Sequence, residues 1–522
     1  MPHCLISFRG YEAPRWVLAA LADGSVPGVC LFTYNFRDLV QFRALNESLL
    51  AAAREGGQPP PLLGVDQEGG QLMAVTGGAT ELPGNLAIGA TGSEEFAAQS
   101  GAILASELRA LGCNLNFAPV LDVASRPENP VVGLRAFGDD PEMVGKLGVA
   151  MLRAMQAGGV LAAAKHFPGH GNTTIDSHHS GAAVERTLDE LLDVELKPFS
   201  AAFEADLAAV MTAHVVYPKL DDQPATTSRR ILSGLLRERL GFDGLVITDA
   251  LDMHALAEIP GRERARRSVE AGADLALLGH LPDQEAIVAE LATSEFKDSR
   301  RRIERFRERL SYDLPPFGPL EAVDETAQRP LAWAAHRQAA ARLARAAITV
   351  AHGAEQLPLK LEVSQELCLI NVVSGALTPA ETVGSEASPL SGQLISRHAN
   401  TTVIDLAYGA GEESVRAAAE RAAAAAVVVF ASVNAVADPA QLRLFELLQA
   451  AGQNPYVLVL RSPVDVASFA SAKALICSYG RRALQTEAAV AVLFGEATAS
   501  GTLPLRLSAP SGAAALVSAA NE

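Results

Sequence analysis

The chain has 522 residues and a formal net charge of −17, a balance that excludes a broad nucleic-acid or anionic-membrane surface but not a small anion in a local basic pocket. Hydrophobic residues make up 49% and charged residues 20%, the composition of a globular protein with ample core, and the length favours more than one domain. Five scattered cysteines (Cys4, Cys30, Cys113, Cys368, Cys477) show no CxxC spacing and read as free, mostly buried thiols in a reducing compartment, neither a disulfide framework nor a zinc site.

In chain order, the N-terminus lacks a basic stretch followed by an apolar core, and no apolar run is long enough to span a bilayer; a soluble cytoplasmic protein is expected. Val26 to Tyr34 is the first strand-like run, and Asn46 to Arg54 is helical by its Leu and Ala spacing. Pro59 to Val65 is a second apolar run, ending in Asp66-Gln67-Glu68-Gly69-Gly70. Ser93 to Leu111 begins with Ser-x-Glu-Glu and carries apolar residues at helical spacing, which predicts a capped helix. Cys113 to Val120 is a short strand before Asp122, and Pro141 to Gly158 is helical. Gly159 to Ala164 leads into Lys165-His166-Phe167-Pro168-Gly169-His170-Gly171, a buried strand emptying into a loop. Then follow a helix over Thr187–Asp206, a strand over Ala209–His214, a helix over Ser228–Leu240, the strand Gly244–Thr248 ending at Asp249, a helix over Arg262–Ala271 and a strand over Ala273–Leu278.

Strand, polar strand end and helix thus alternate over the first 280 or so residues, which implies a parallel sheet with helical crossovers. Polar residues at so many strand ends favour a closed (β/α)8 TIM-like barrel. The competing open doubly wound sheet usually shows a Gly-rich phosphate turn after its first strand, and none is present. Arg300 to Arg309 is a charged helix, most simply a solvated face. Pro315, Pro316 and Pro319 read as linker, and Ala332 to Ala347 is helical. From Ile348 a second α/β domain begins, its strand ends nearly free of clustered His, Asp and Glu. The expected organisation is a catalytic barrel over 1–313, a linker and connecting helix over 314–347, and a smaller αβα sandwich over 348–522.

Four strand ends carry polar groups able to converge: Asp66, Arg135, Lys165 with His166, and Asp249. A lone aspartate there is usually a helix cap, but Asp176-Ser177-His178 on a Gly- and Pro-flanked loop makes the set harder to dismiss. Sugar chemistry needs a group that protonates the leaving oxygen and a carboxylate on the opposite face of the anomeric carbon. Asp249, after an apolar strand with no neighbouring cation in sequence, suits the carboxylate. His178 suits the acid, since imidazole gives and takes a proton at neutral pH, and Asp176 is placed to hold its second ring nitrogen. Asp66, Arg135, Lys165 and His166 suit hydroxyl binding. His170 and His179 read as loop histidines that shape the turn or are solvated, and His214 as either a pocket residue or a strand-end hydrogen bonder. A metal is not expected, because the His-rich loop lacks H-E-x-x-H spacing and a second ligand set; nor is nucleophilic serine chemistry, which lacks a G-x-S-x-G elbow.

These residues resemble glycoside hydrolase family 3, in its β-N-acetylhexosaminidase branch. The matching segments are GVDQEGG (64–70), LPGNLAIGAT (82–91), NFAPVLDV (116–123), NPVVGLRAFGDDP (129–141), KHFPGHGNTTIDSH (165–178), MTAHVVYPKLDDQPATTS (211–228) and GFDGLVITDALDM (241–253). The resemblance implies a retaining two-step mechanism with Asp249 as nucleophile and His178, paired with Asp176, as acid/base. It implies Asp66, Arg135, Lys165, His166, His214 and Met253 as the grip on a terminal N-acetylglucosamine, with no cofactor and no nucleic-acid or membrane partner. The implied substrates are β-linked N-acetylglucosaminides such as peptidoglycan fragments. Two positions depart from the pattern: Gln71-Leu72-Met73-Ala74 replaces an arginine-bearing R-V-x-R stretch, and Asn172 stands where aspartate is common. Rival readings are a phosphorylase, since a histidine acid/base does not repel phosphate, and a non-catalytic sugar binder. A β-glucosidase is disfavoured by the Asp-Ser-His loop.

Overall fold

The structure, a computed structural model, describes residues 3–126, 129–173, 182–292, 296–315, 323–324, 329–330, 333–382 and 389–507. Asp176, His178 and His179 lie outside the described residues. The chain divides into two compact units, one of Met1–Ala340 with Thr378–Thr382, the other of Ala341–Leu377 with Val383–Glu522.

The first unit is built on eight short parallel strands: β1 (Cys4–Ile6), β2 (Gly28–Leu31), β3 (Leu62–Val65), β4 (Leu115–Asn116), β5 (Leu161–Phe167), β6 (Ala209–Thr212), β7 (Leu245–Thr248) and β8 (Ala276–Leu277). Each pairs with the next in sequence from β1 to β7. β8 pairs with β1, and a bridge between Ile247 and Leu275 links β7 to the approach of β8. The sheet therefore closes almost completely into a barrel, as the alternation of elements predicts. Leu5, Cys30, Leu62, Leu115, Phe117, Met211, Ile247 and Leu277 are among the residues that fill one continuous core. Such strands are buried on both faces, which is why they read as unbroken apolar runs rather than alternating ones.

The helix predicted after Ser93 spans Glu94–Ala110. The Ser93 side chain accepts from the Phe96 N–H, acidic residues occupy its first turn and Arg109 its last, satisfying orphan amides and complementing the helix dipole. Elsewhere the structure corrects the sequence reading. A strand precedes Val26, because Cys4–Ile6 is only three residues long and carries too little pattern to read. The strand expected over Cys113–Val120 contracts to Leu115–Asn116, and the Ala118–Pro119 peptide follows it; proline offers no N–H to a ladder. The helix expected over Thr187–Asp206 is two, Leu188–Asp193 and Lys197–Glu204, parted where Val194 leaves helical dihedrals and Pro198 opens the second. The charged helix Lys297–Arg307 is not merely a solvated face. Ile303 and Phe306 are buried, Arg302 pairs with Asp274, and the buried Arg307 donates to the Pro59 and Pro60 carbonyls.

The second unit holds a six-stranded sheet made of β9 (Thr349–His352), β10 (Leu367–Val373), β11 (Thr401–Ala407), β12 (Val427–Ser432), β13 (Tyr456–Val459) and β14 (Ala474–Cys477). Its order is β9-β14-β13-β12-β10-β11, with only the edge strand β9 antiparallel. Helices Leu390–Arg397, Glu412–Ala423 and Pro439–Ala450 connect the parallel strands, and Ala483–Leu493 follows the last of them, giving a doubly wound arrangement. All five cysteines are free and buried. Among the described residues no helix is long and apolar enough to cross a membrane.

Candidate active site

Charge collects at the carboxyl ends of β3, β4 and β5. Lys165, near the end of β5, lies 2.5 Å from Asp66 and 2.6 Å from Glu68. Arg135 engages Glu68 with two bonds, Nε to Oε2 at 2.9 Å and Nη2 to Oε1 at 2.7 Å, the bidentate geometry that suits guanidinium. Its Nη2 also lies 3.3 Å from His166 Nε2. His166 Nδ1 is 2.6 Å from the buried Asp122, whose other oxygen accepts the backbone N–H groups of His166 and His170. Four sequence-predicted residues, Asp66, Arg135, Lys165 and His166, thus stand in one network.

Burial opposes every charge here, so the network holds only because its members are paired. Burial pushes the Glu68 carboxyl up, but Arg135 and then Lys165 overcome it and hold it at about 2. Lys165 is raised despite burial, by Asp66 and then Glu68. Asp122 is held below the usual carboxylate range against burial, chiefly by His166. The Asp66 side chain is 26% exposed against 2% for Glu68. Asp66 is therefore the network's face toward solvent, and Glu68 its internal counter-ion.

The loop after β5 is tightly constrained. Gly169 has φ +133°, and a Cβ there would fall 2.6 Å from the Glu195 Cβ; one on Gly171 would fall 1.6 Å from the Val123 carbonyl oxygen. Neither position tolerates a side chain. His170 shapes the turn, facing the Thr173 hydroxyl at 3.0 Å, but it is buried rather than solvated. Burial, then the neighbouring His166, lowers its pKa to about 4. Asn129 Nδ2 donates to the carbonyls of His170 and Thr173 while its Oδ1 accepts from Val131 and Val132, tying the Arg135 segment to this loop. Asn172 donates to the Ser125 hydroxyl at 3.2 Å.

At the end of β7, Asp249 is half-buried, and its Oδ1 accepts the Ala250 N–H at 2.8 Å. The Ala250 carbonyl accepts in turn from His214 Nε2–H at 3.0 Å and from the Met253 N–H at 3.2 Å. His214 also meets the Thr226 hydroxyl through Nδ1 at 2.7 Å and is buried. The ring thus braces the turn that presents Asp249, and Met253 sits half-buried on the same turn.

The stretch that departs from the arginine pattern is anchored through its main chain. Gln67–Gly69 and Leu72–Met73 form a hairpin after Asp66, and residues 378–382 of the same unit lie along it. Thr382 donates its N–H to the Gln71 carbonyl at 2.7 Å; its hydroxyl accepts from the Met73 N–H at 3.1 Å and donates to the Met73 carbonyl at 3.0 Å. Gln71 Nε2 donates to the Ala380 carbonyl at 3.1 Å.

Sequence reasoning missed Glu68, Asp122 and Asn129. Glu68 carried a signal, since a buried lysine and a buried arginine need more than one carboxylate. Asp122 stands in the sequence only as the residue past a strand end, and Asn129 only as the first residue of a matching segment. Among the described residues no group of three or more His, Cys, Asp and Glu is arranged to hold a metal ion.

Residues 12–306 match the glycosyl hydrolase family 3 N terminal domain. A beta-hexosaminidase of Thiobacillus denitrificans is 42% identical over 55% of this chain and 80% of its own length. Beta-hexosaminidase A of Pseudoalteromonas piscicida is 30% identical over 92% of this chain and 89% of its own. The solved family 3 beta-N-acetylglucosaminidase from Paenibacillus sp. FPU-7 superposes with a TM-score of 0.88 at 32% identity, covering 97% of this chain and 98% of that one.

Proposed function

The chain belongs to glycosyl hydrolase family 3 as a β-N-acetylhexosaminidase, and from that premise we propose that it removes terminal β-linked N-acetylglucosamine from the non-reducing end of glycosides with net retention. Peptidoglycan fragments are the substrates this reading favours, in the cytoplasm, where five free buried cysteines are at home.

The observation that carries the reading is the interlocked set Asp66, Glu68, Asp122, Arg135, Lys165 and His166, together with the half-buried Asp249 two strands further round the barrel end. A terminal sugar presents hydroxyls on several carbons, and Asp66, Arg135, Lys165 and His166 offer donors and acceptors already fixed in place, so little reorganisation is needed on binding. His214 and Met253 complete the grip around the Asp249 turn. In the first step an Asp249 oxygen bonds to the anomeric carbon as the bond to the leaving oxygen breaks and His178 gives that oxygen a proton. In the second, water attacks the same carbon, His178 takes a proton from it, and the bond to Asp249 breaks. Asp176 holds the second nitrogen of His178 throughout, as the carboxylate does in a Ser-His-Asp triad.

The test is turnover of an aryl β-N-acetylglucosaminide with and without phosphate, with the product identified. Free N-acetylglucosamine, released first as the β anomer at a phosphate-independent rate, supports the proposal. A phosphate-dependent rate yielding the sugar 1-phosphate makes the protein a phosphorylase. No turnover in either condition, with the aryl glucoside also inert, moves the non-catalytic sugar binder to the front.

A further inference from the structure

The barrel end is divided into two arcs of opposite character. From β3 round to β7 the strand ends present Asp66, Asp122, Lys165, His166, His214 and Asp249. From β8 through β1 to β2 they present rings. Phe32, just past β2, packs on the barrel core. It stacks on Tyr34 with centroids 5.2 Å apart and planes 20° from parallel. His280, just past β8, lies 4.9 Å from the Tyr34 ring and 5.6 Å from Phe32. The guanidinium of Arg9, past β1, stands 5.3 Å from the Tyr34 centroid.

This arc is held rigidly by side chains that lace its three strand ends together. Asn35 Nδ2 donates to the carbonyls of Phe8 and Gly10, each at 2.9 Å, and its Oδ1 accepts the Phe32 N–H at 3.0 Å. Gln284 accepts the Ser7 N–H at 3.0 Å and donates to the Gly279 carbonyl at 3.1 Å, and the Ser7 hydroxyl donates to that same carbonyl. His280 is exposed and Tyr34 and Phe32 are half-buried. A fixed platform of rings reaching solvent offers little to a sugar's hydroxyls but much to the apolar C–H face of a ring laid against it.

We propose that the Phe32–Tyr34–His280 platform is the leaving-group subsite, and that it takes a second pyranose ring stacked on Tyr34 and His280. The inference rests on the reading of Asp249 as the reacting carboxylate. The turn that carries Asp249 separates the arcs: the hydroxyl-rich terminal sugar belongs to the polar one, leaving the departing group to the aromatic one. Asp252 on the same turn lies beside this arc: a Cβ placed on Gly279, next to His280, would fall 1.9 Å from its Oδ1.

The experiment compares kcat/KM on N,N′-diacetylchitobiose, which places a sugar on the platform, with that on N-acetyl-β-glucosaminyl fluoride, which leaves it bare. Full-length wild type, Tyr34→Ala and His280→Ala are measured. The expected result is a loss of about tenfold on the disaccharide for Tyr34→Ala, the loss of one stacked ring, with a loss at least fivefold smaller on the fluoride. His280→Ala, which removes an exposed ring and spares the fold, moves in the same direction. An active wild type whose variants lose equally on both substrates, or lose nothing on the disaccharide, overturns this proposal alone. A wild type inert on both overturns the glycosidase reading and takes this proposal with it.

Discussion

The carboxyl ends of the two parallel sheets use the same residue types for different ends. In the first unit Asp66, Glu68 and Asp122 face Lys165, Arg135 and His166. In the second, Asp438 accepts the N–H groups of Gly409 and Ala440 and bonds the Gln441 amide, while Asp465 accepts from Val436 N–H and lies 3.3 Å from the Ser432 hydroxyl. Single carboxylates do occur at these strand ends, and they are bonded to backbone N–H groups and neutral side chains. A carboxylate that closes a turn is structural; one that orients cations beside a half-exposed partner is equipped to bind.

The comparison can be broken at several points. The largest effect expected is from Asp249→Ala, a loss of about 10⁴-fold or more in kcat with the fold intact, read by steady-state kinetics and circular dichroism. His178→Ala is expected to cost roughly 10²- to 10⁴-fold on substrates with poor leaving groups and far less on good ones. Equal losses across a leaving-group series contradict its role as acid. Glu68→Ala leaves Arg135 and Lys165 without their shared counter-ion, and about 3–5 kcal/mol of stability is expected to go with it, measured by denaturant unfolding.

Acid is expected to act on the two units with opposite sign. Burial lowers the His170 pKa from the usual 6.5 to about 4. Between those values the unfolded chain holds more protons, so the first unit weakens as pH falls from 6.5 toward 4. Asp465 is the reverse: burial raises it from 3.8 to about 6, so its contribution is full below the lower value and is lost as pH rises through the higher. Each contribution is on the order of 3 kcal/mol. Hydrogen exchange followed unit by unit across pH 4 to 6.5 checks the divergence, and Asp465→Asn is expected to flatten the second profile only. Smallest is Asp438→Ala, about 1 kcal/mol for a lost helix cap, with kcat for the glycosidase reaction unmoved. A fall in kcat would give the second unit's carboxylates a role in catalysis.

Much of the barrel was legible because strands buried on both faces leave continuous apolar runs and their polar ends stand out against them. The three-residue strand at Cys4–Ile6 was not, for want of length, and the break at Val194 was hidden inside good helix formers. At the site, Asp66, Arg135, Lys165 and His166 were legible as unusual residues at strand ends. Their counter-ions Glu68 and Asp122 were not, because which carboxylate meets which cation depends on how the strands close into a ring. The aromatic arc was illegible for the same reason: Phe32 and Tyr34 read as the end of a strand, and only the pairing of β8 with β1 brings His280 to them.

The most direct measurement is to trap the sugar on the enzyme. A 5-fluoro N-acetylglucosaminyl fluoride slows the second step more than the first, and mass spectrometry of the digested protein locates the label. The account predicts one sugar residue on the peptide containing Asp249, absent from Asp249→Ala. Label on a different residue, or rapid turnover of β-N-acetylglucosaminides with no label on any, would contradict it.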